Sequence, residues 1–137
     1  MTRYLLDTGL AGLYVGRRPD VTRRVAAETG RGNQIGICQP VLAELVYGVE
    51  LSQSRDRAWQ RLMVALSALT VWPVTEAACY EYGRLAADLK RRGRLIQQND
   101  MMIAAVALTL NCVVVTADSD FRAVPGLAVE DWRSPSA

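Results

Sequence analysis

The run Cys112-Val113-Val114-Val115-Thr116 constrains the fold more than any other stretch of this chain. Three consecutive valines favour extended backbone, because a branched Cβ crowds the preceding turn of a helix and fits a pleated surface. Successive side chains of a strand point to opposite faces, so an unbroken apolar run must be covered on both sides. Helices packed on both faces of a parallel sheet supply that cover. The rest of the chain repeats the theme. Tyr4–Thr8, Gln34–Cys38, Thr70–Val74 and Leu127–Glu130 read as further strands, Pro73 marking an edge or a strand end. Between them, helical spacing of apolar residues covers about 19–30, a segment opening at Pro40, and about 55–69, 76–92 and 100–110. The pattern predicts an α/β three-layer sandwich: a central, mostly parallel sheet of four to five strands flanked by helices. In such sheets ligands gather at the carboxyl ends of the strands.

With 137 residues, half of them apolar, the chain suits one domain spanning 1–137, without repeats or low-complexity segments. MTRYLLDTGL is too short and too polar for a signal peptide, and no apolar run approaches the roughly 20 residues of a membrane span. The expected location is the cytoplasm, with no membrane partner. Cys38, Cys79 and Cys112 form no CxxC pair, and Cys38 and Cys112 lie in strand-like runs, which suits buried free thiols rather than a zinc site. Trp59, Leu62, Met63, Trp72, Tyr80 and Tyr82 are assigned to the core by their spacing, with some left over for an interface.

The chain contains no histidine. Ser-His-Asp and Cys-His triads and cleavage of RNA by a histidine pair are therefore excluded, and any catalysis must use carboxylates, Lys, Tyr, thiols or a metal. The net charge is only +2, but fifteen of the sixteen basic residues are arginine. The cluster Lys90-Arg91-Arg92-Gly93-Arg94 is either a solvated helix end or a patch for phosphate, whose oxygens match guanidinium forks.

Four acids stand where ligands gather. Asp7 ends the first strand, and Asp118 follows the most apolar one. Each alone also reads as a cap or turn residue. Glu44 lies one turn into the helix after the second strand, beside the apolar Leu42, Leu45 and Val46, where a solvated glutamate is the plain alternative. Asp100 falls in the first turn of the helix that Asn99 is placed to cap, and the helix dipole favours an anion there by roughly 0.3–1 kcal/mol. Together on one rim, the four would repel: a carboxylate pair at ~4 Å costs about 4 kcal/mol at an effective dielectric of 20. A divalent cation relieves this, and an all-oxygen donor set without histidine or thiolate suits Mg²⁺ or Mn²⁺.

In these residues the chain resembles the PIN-domain ribonucleases, specifically the VapC type of toxin from prokaryotic toxin–antitoxin pairs. YLLDTGL is similar to the family's opening strand with its first acid, and QPVLAELVYGVE to its second motif, with Glu44. NDMMIAAVAL matches the third, with Asp100, and VVVTADSDFRAVPGLAVEDW the fourth together with the closing strand. The resemblance covers nearly the whole chain, in order. It implies a PIN-like fold, Mg²⁺ or Mn²⁺ held by Asp7, Glu44, Asp100 and Asp118, and hydrolysis of RNA phosphodiesters by metal-activated water. It also implies supporting places for Thr116, beside Asp7 or a metal-held water, and for Asp120 in an outer shell. Lys90 and Arg94 are the candidates for flanking phosphates, and a single-stranded or looped RNA suits this small domain better than a duplex. The implied partners are a second copy of the chain and a small antitoxin laid across the rim. Gly9 departs from the family, which very often has Asn or a small polar residue there.

Two other readings stay open. A degenerate PIN-like module could bind nucleic acid or protein without cutting, although all four acids are present. A Mg²⁺-dependent phosphoryl-transfer domain also places Asp at strand ends. However, a receiver needs an acid pair after its first strand and a lysine after its last, and an Asp-x-Asp phosphatase needs an acid at position 9, which is glycine.

Overall fold

A computed structural model describes residues 1–134. Five strands, β1 (Arg3–Leu6), β2 (Gln34–Cys38), β3 (Thr70–Trp72), β4 (Val113–Val115) and β5 (Val129–Glu130), form one sheet in the order β3-β2-β1-β4-β5. All four pairings are parallel. The chain winds outward from β1 to β2 and β3, then returns to build β4 and β5 on the other side. The direction of winding reverses between β1 and β4, and the carboxyl ends of those two strands frame the crevice where an open α/β sheet takes its ligand.

Six helices cover the sheet: α1 (Thr8–Val15), α2 (Pro19–Gly30), α3 (Gln39–Leu51), α4 (Arg55–Leu66), α5 (Glu76–Arg91) and α6 (Gln98–Leu110). Leu5, Leu6, Ile37, Val114 and Val115 are fully buried in the sheet, against Leu10, Val21, Val41, Leu89 and Ile103 from the helices. The central helix α6 buries a continuous stretch from Ile103 to Ala107 and stops at Asn111, whose left-handed backbone (φ 56°) turns the chain into β4. Gly36 lets β2 and β3 approach: a Cβ there would lie 2.7 Å from the Trp72 ring and would also meet the backbone of Thr70.

The expected sandwich is present, with five strands, and Thr70-Val71-Trp72 ends at Pro73. Three expectations need correction. Residues 8–15 form a helix where none was expected, because two glycines and apolar residues on every side hide its period. The N-cap of α6 is Gln97 rather than Asn99, so the helix starts two residues early, and the Asn99 amide instead donates to the Thr8 hydroxyl at 3.4 Å. Of the six residues assigned to the core, Leu62 and Trp72 are buried, but Met63 is 50% and Tyr80 70% exposed. Tyr80 instead lies along α5, its hydroxyl donating to Glu76. Cys38 and Cys112 are buried free thiols.

Candidate active site

Asp7 is set by the junction of β1 with α1. Its backbone N–H donates to Val115 at 3.0 Å, which ties the end of β1 to the end of β4. Its side chain caps α1, Oδ1 accepting from the N–H of Leu10 at 2.8 Å. Oδ2 accepts from the hydroxyl of Thr116 at 2.5 Å, and that hydroxyl in turn accepts from the N–H of Asp118 at 2.9 Å. One relay thus runs from Asp118 through Thr116 to Asp7. Asp7 and Thr116 are both buried. Burial pushes the Asp7 carboxyl up from its ordinary range, and the negative charges of Asp118 and Asp131 add to this, against the two hydrogen bonds that favour its anion.

Asp100 reaches the same place from α6. It is the third residue of that helix, half-buried, and its pKa is pushed up to about 6, first by burial and then by the charges of Asp118, Asp7 and Asp120. A rise from 3.8 to about 6 corresponds to at most roughly 3 kcal/mol against ionisation, less what solvent screens at this half-buried site. The helix dipole offers about 0.3–1 kcal/mol in the other direction, and up to about 2 kcal/mol at a partly buried site. Burial and like charge therefore win at this helix start, so the dipole does not explain the charge that Asp100 is asked to carry.

Asp7, Asp100 and Asp118 line one cleft of about 540 Å³, together with Thr8, Gly9 and Gln97. Asp118 is exposed and caps a 3₁₀ turn over Ser119–Ala123, its Oδ1 accepting from the N–H of Asp120 at 2.9 Å. Asp120 is half-buried and does not line the cleft, but is close enough to raise Asp100. Glu44 is exposed on α3 and is not among the residues lining the cleft. Lys90, in the last turn of α5, and Arg94, just beyond it, are exposed and do not line it either. The basic residues that do are Arg18 and Arg133, from opposite ends of the chain, and no local motif marks them. Asp131, which acts on Asp7, also went unmarked, although its place directly after β5 is a strand-end signal of the kind that marks Asp7.

The chemistry of this donor set fits a hard divalent cation. The converging acids offer carboxylate oxygens, and burial first, then their mutual repulsion, raises Asp7 and Asp100. Among the described residues, no three His, Cys, Asp or Glu side chains stand close enough to grip a metal together. The fit is to an ion held partly through its own waters, as Mg²⁺ commonly is.

Known proteins share the sequence and the fold of this chain. The family described as PIN domain matches residues 4–127. A ribonuclease VapC2 of Rickettsia felis is 32% identical over 130 residues, covering 94% of this chain and 97% of the relative. A tRNA(fMet)-specific endonuclease VapC of Shigella flexneri is 31% identical over 134 residues, covering 96% and 99%. Among solved structures, VapBC2 from Rickettsia felis bound to a DNA fragment from its promoter superposes with a TM-score of 0.90 at 30% identity, covering 96% of this chain and 100% of that one.

Proposed function

The chain belongs to the PIN-domain family, and from that premise we propose that it is a Mg²⁺- or Mn²⁺-dependent endoribonuclease, the toxin of a toxin–antitoxin pair. One observation carries the reading. In a chain without histidine, carboxylates from the ends of β1 and β4 and the start of α6 converge on a single cleft, and two of them are held above their ordinary pKa.

Asp7, Asp100 and Asp118 would hold the cation, with Glu44 an outer carboxylate acting through water from α3. When bound, the ion would supply an activated water for in-line attack on phosphorus and offset charge on the non-bridging oxygens. Products would carry a 5′-phosphate and a 3′-hydroxyl. The chain's own part is to orient. Thr116 and the Leu10 N–H fix both oxygens of Asp7, so the carboxylate meets the cation in one rotamer. Asp120 adds negative field from the outer edge.

Single-stranded or looped RNA is the proposed substrate, since a small cleft at the carboxyl ends of the strands suits a strand whose bases are unpaired. The proposed protein partners are an antitoxin and a second copy of the chain. The solved relatives that are VapBC complexes support the first, and exposed Tyr47, Leu51, Met63 and Val64 on α3 and α4 offer apolar area for either. Among the described residues, no helix is long and apolar enough to cross a membrane.

The test is cleavage of a labelled single-stranded RNA by purified protein. Cleavage should require Mg²⁺ or Mn²⁺, stop with EDTA, and fall by more than about 100-fold in a folded Asp7→Asn variant. Equal cleavage by that variant, or by the EDTA-treated protein, overturns the proposal.

A further inference from the structure

Two arginines share the cleft with the acids, yet pair with neither Asp7, Asp100 nor Asp118. Each has its own carboxylate instead. The Nε of Arg18 donates to Asp20 at 3.0 Å. Arg133 is held by Asp131, its Nη2 donating at 2.9 Å and its Nε reaching both oxygens at 3.2 and 3.3 Å. The two holders are linked across the fold. The second oxygen of Asp20 accepts from the backbone N–H of Ser134 at 2.6 Å, so the start of α2 pins the segment after β5 that carries Arg133. Asp20 thus places residues 115 positions apart on the same cleft.

This arrangement opposes the easiest outcome. Two guanidinium groups beside clustered carboxylates would lower their energy by folding onto them, which would occupy the oxygens a cation needs. Private partners hold them back, and each fork keeps donors unspent: Nη1 and Nη2 of Arg18, and Nη1 of Arg133, have no hydrogen-bond acceptor among the described residues. Both side chains are more than 40% exposed, at 44% and 42%. A polyanion approaching an acidic cleft needs positive charge at its rim, and a guanidinium fork matches a phosphate.

We propose that Arg18 and Arg133, fixed by Asp20 and Asp131, are the pair that holds RNA backbone phosphates and positions the strand across the acids. This rests on the ribonuclease reading and assigns the phosphate-holding role to residues other than Lys90 and Arg94. They are positioning residues, with no part in activating water.

The test compares wild type with Arg18→Gln, Arg133→Gln, the double variant, Arg18→Lys and, as an equal charge change outside the cleft, Arg84→Gln. Each is measured for cleavage of one single-stranded RNA and for its binding to that RNA across a salt series, in Ca²⁺ to suppress turnover. Each single cleft variant should raise KM about tenfold with kcat little changed, and should flatten the slope of log affinity against log salt by about 0.7, the double variant by about 1.4. Arg18→Lys should restore the slope, and Arg84→Gln should leave both quantities as in wild type. Asp20→Asn, which loosens both arginines without removing either charge, should raise KM and keep the slope. If wild type cleaves RNA and the double variant matches it in KM and slope, the pair does not hold phosphate and the ribonuclease reading stands. If wild type neither binds nor cleaves, both fall.

Discussion

At the scale of single residues, the cleft works against the stability of the protein that carries it. Asp100, with a pKa of about 6, and Asp7, also raised, are ionised at neutral pH only at a cost in folding free energy. A carboxyl whose folded pKa lies above its unfolded value binds protons more tightly in the native state. Stability should therefore rise as pH falls from about 7 through 6 toward 4. The opposite limb comes from buried Glu28, held below its usual range by Arg31, Tyr4 and Arg24 against the effect of its own burial. Its contribution is lost as pH falls below about 4.5. Asp100→Asn should accordingly raise the metal-free Tm at pH 7.5 by several degrees, corresponding to roughly 1–3 kcal/mol, and remove much of the gain on acidification while cleavage is lost. Thermal melts across pH check this; a destabilised Asp100→Asn protein would mean that the carboxylate is not strained.

At the scale of elements, legibility followed the strength of the local signal. β4 was readable because three valines in a row permit little else, and α3 because Pro40 opens it on apolar residues at helical spacing. α1 was hidden because Leu10, Ala11, Leu13 and Tyr14 are interrupted by Gly9 and Gly12 and leave no polar face, so its helicity comes from packing against α3 and β1 rather than from pattern. Asn99 has the chemistry of a cap, but Gln97 has the extended backbone, and no side chain caps α6 at all. The acids were legible through their place at strand ends. Arg18 and Arg133 were not, because only folding brings the start of α2 beside the segment after β5. A tight joint between elements is Gly36, where β2 meets Trp72 and Thr70 of β3. Gly36→Ala should lower the urea midpoint by an amount equivalent to about 1–3 kcal/mol with an unchanged m-value. An unaffected midpoint would show that β3, at the sheet edge, yields without cost.

At the scale of the whole molecule, a chain of net charge only +2 separates its charges in space. Carboxylates collect where the sheet's winding reverses, and arginines stand at the edge under separate restraint. The parallel topology does the sorting: β1 and β4 are neighbours pointing the same way, so Asp7 and Asp118 must leave the sheet on one side. α6 then brings Asp100 to meet them. A sheet of the same strands with β4 reversed would separate these acids by the length of the strand.

The most direct measurement is a crystal grown with Mn²⁺ and examined at a wavelength where manganese scatters anomalously. A single strong peak is expected in the cleft, with Asp7, Asp100 and Asp118 around it directly or through water, and no such peak in Asp100→Asn. Saturating Mn²⁺ with no peak in the cleft, or a peak bound equally well in the variant, would contradict the metal reading.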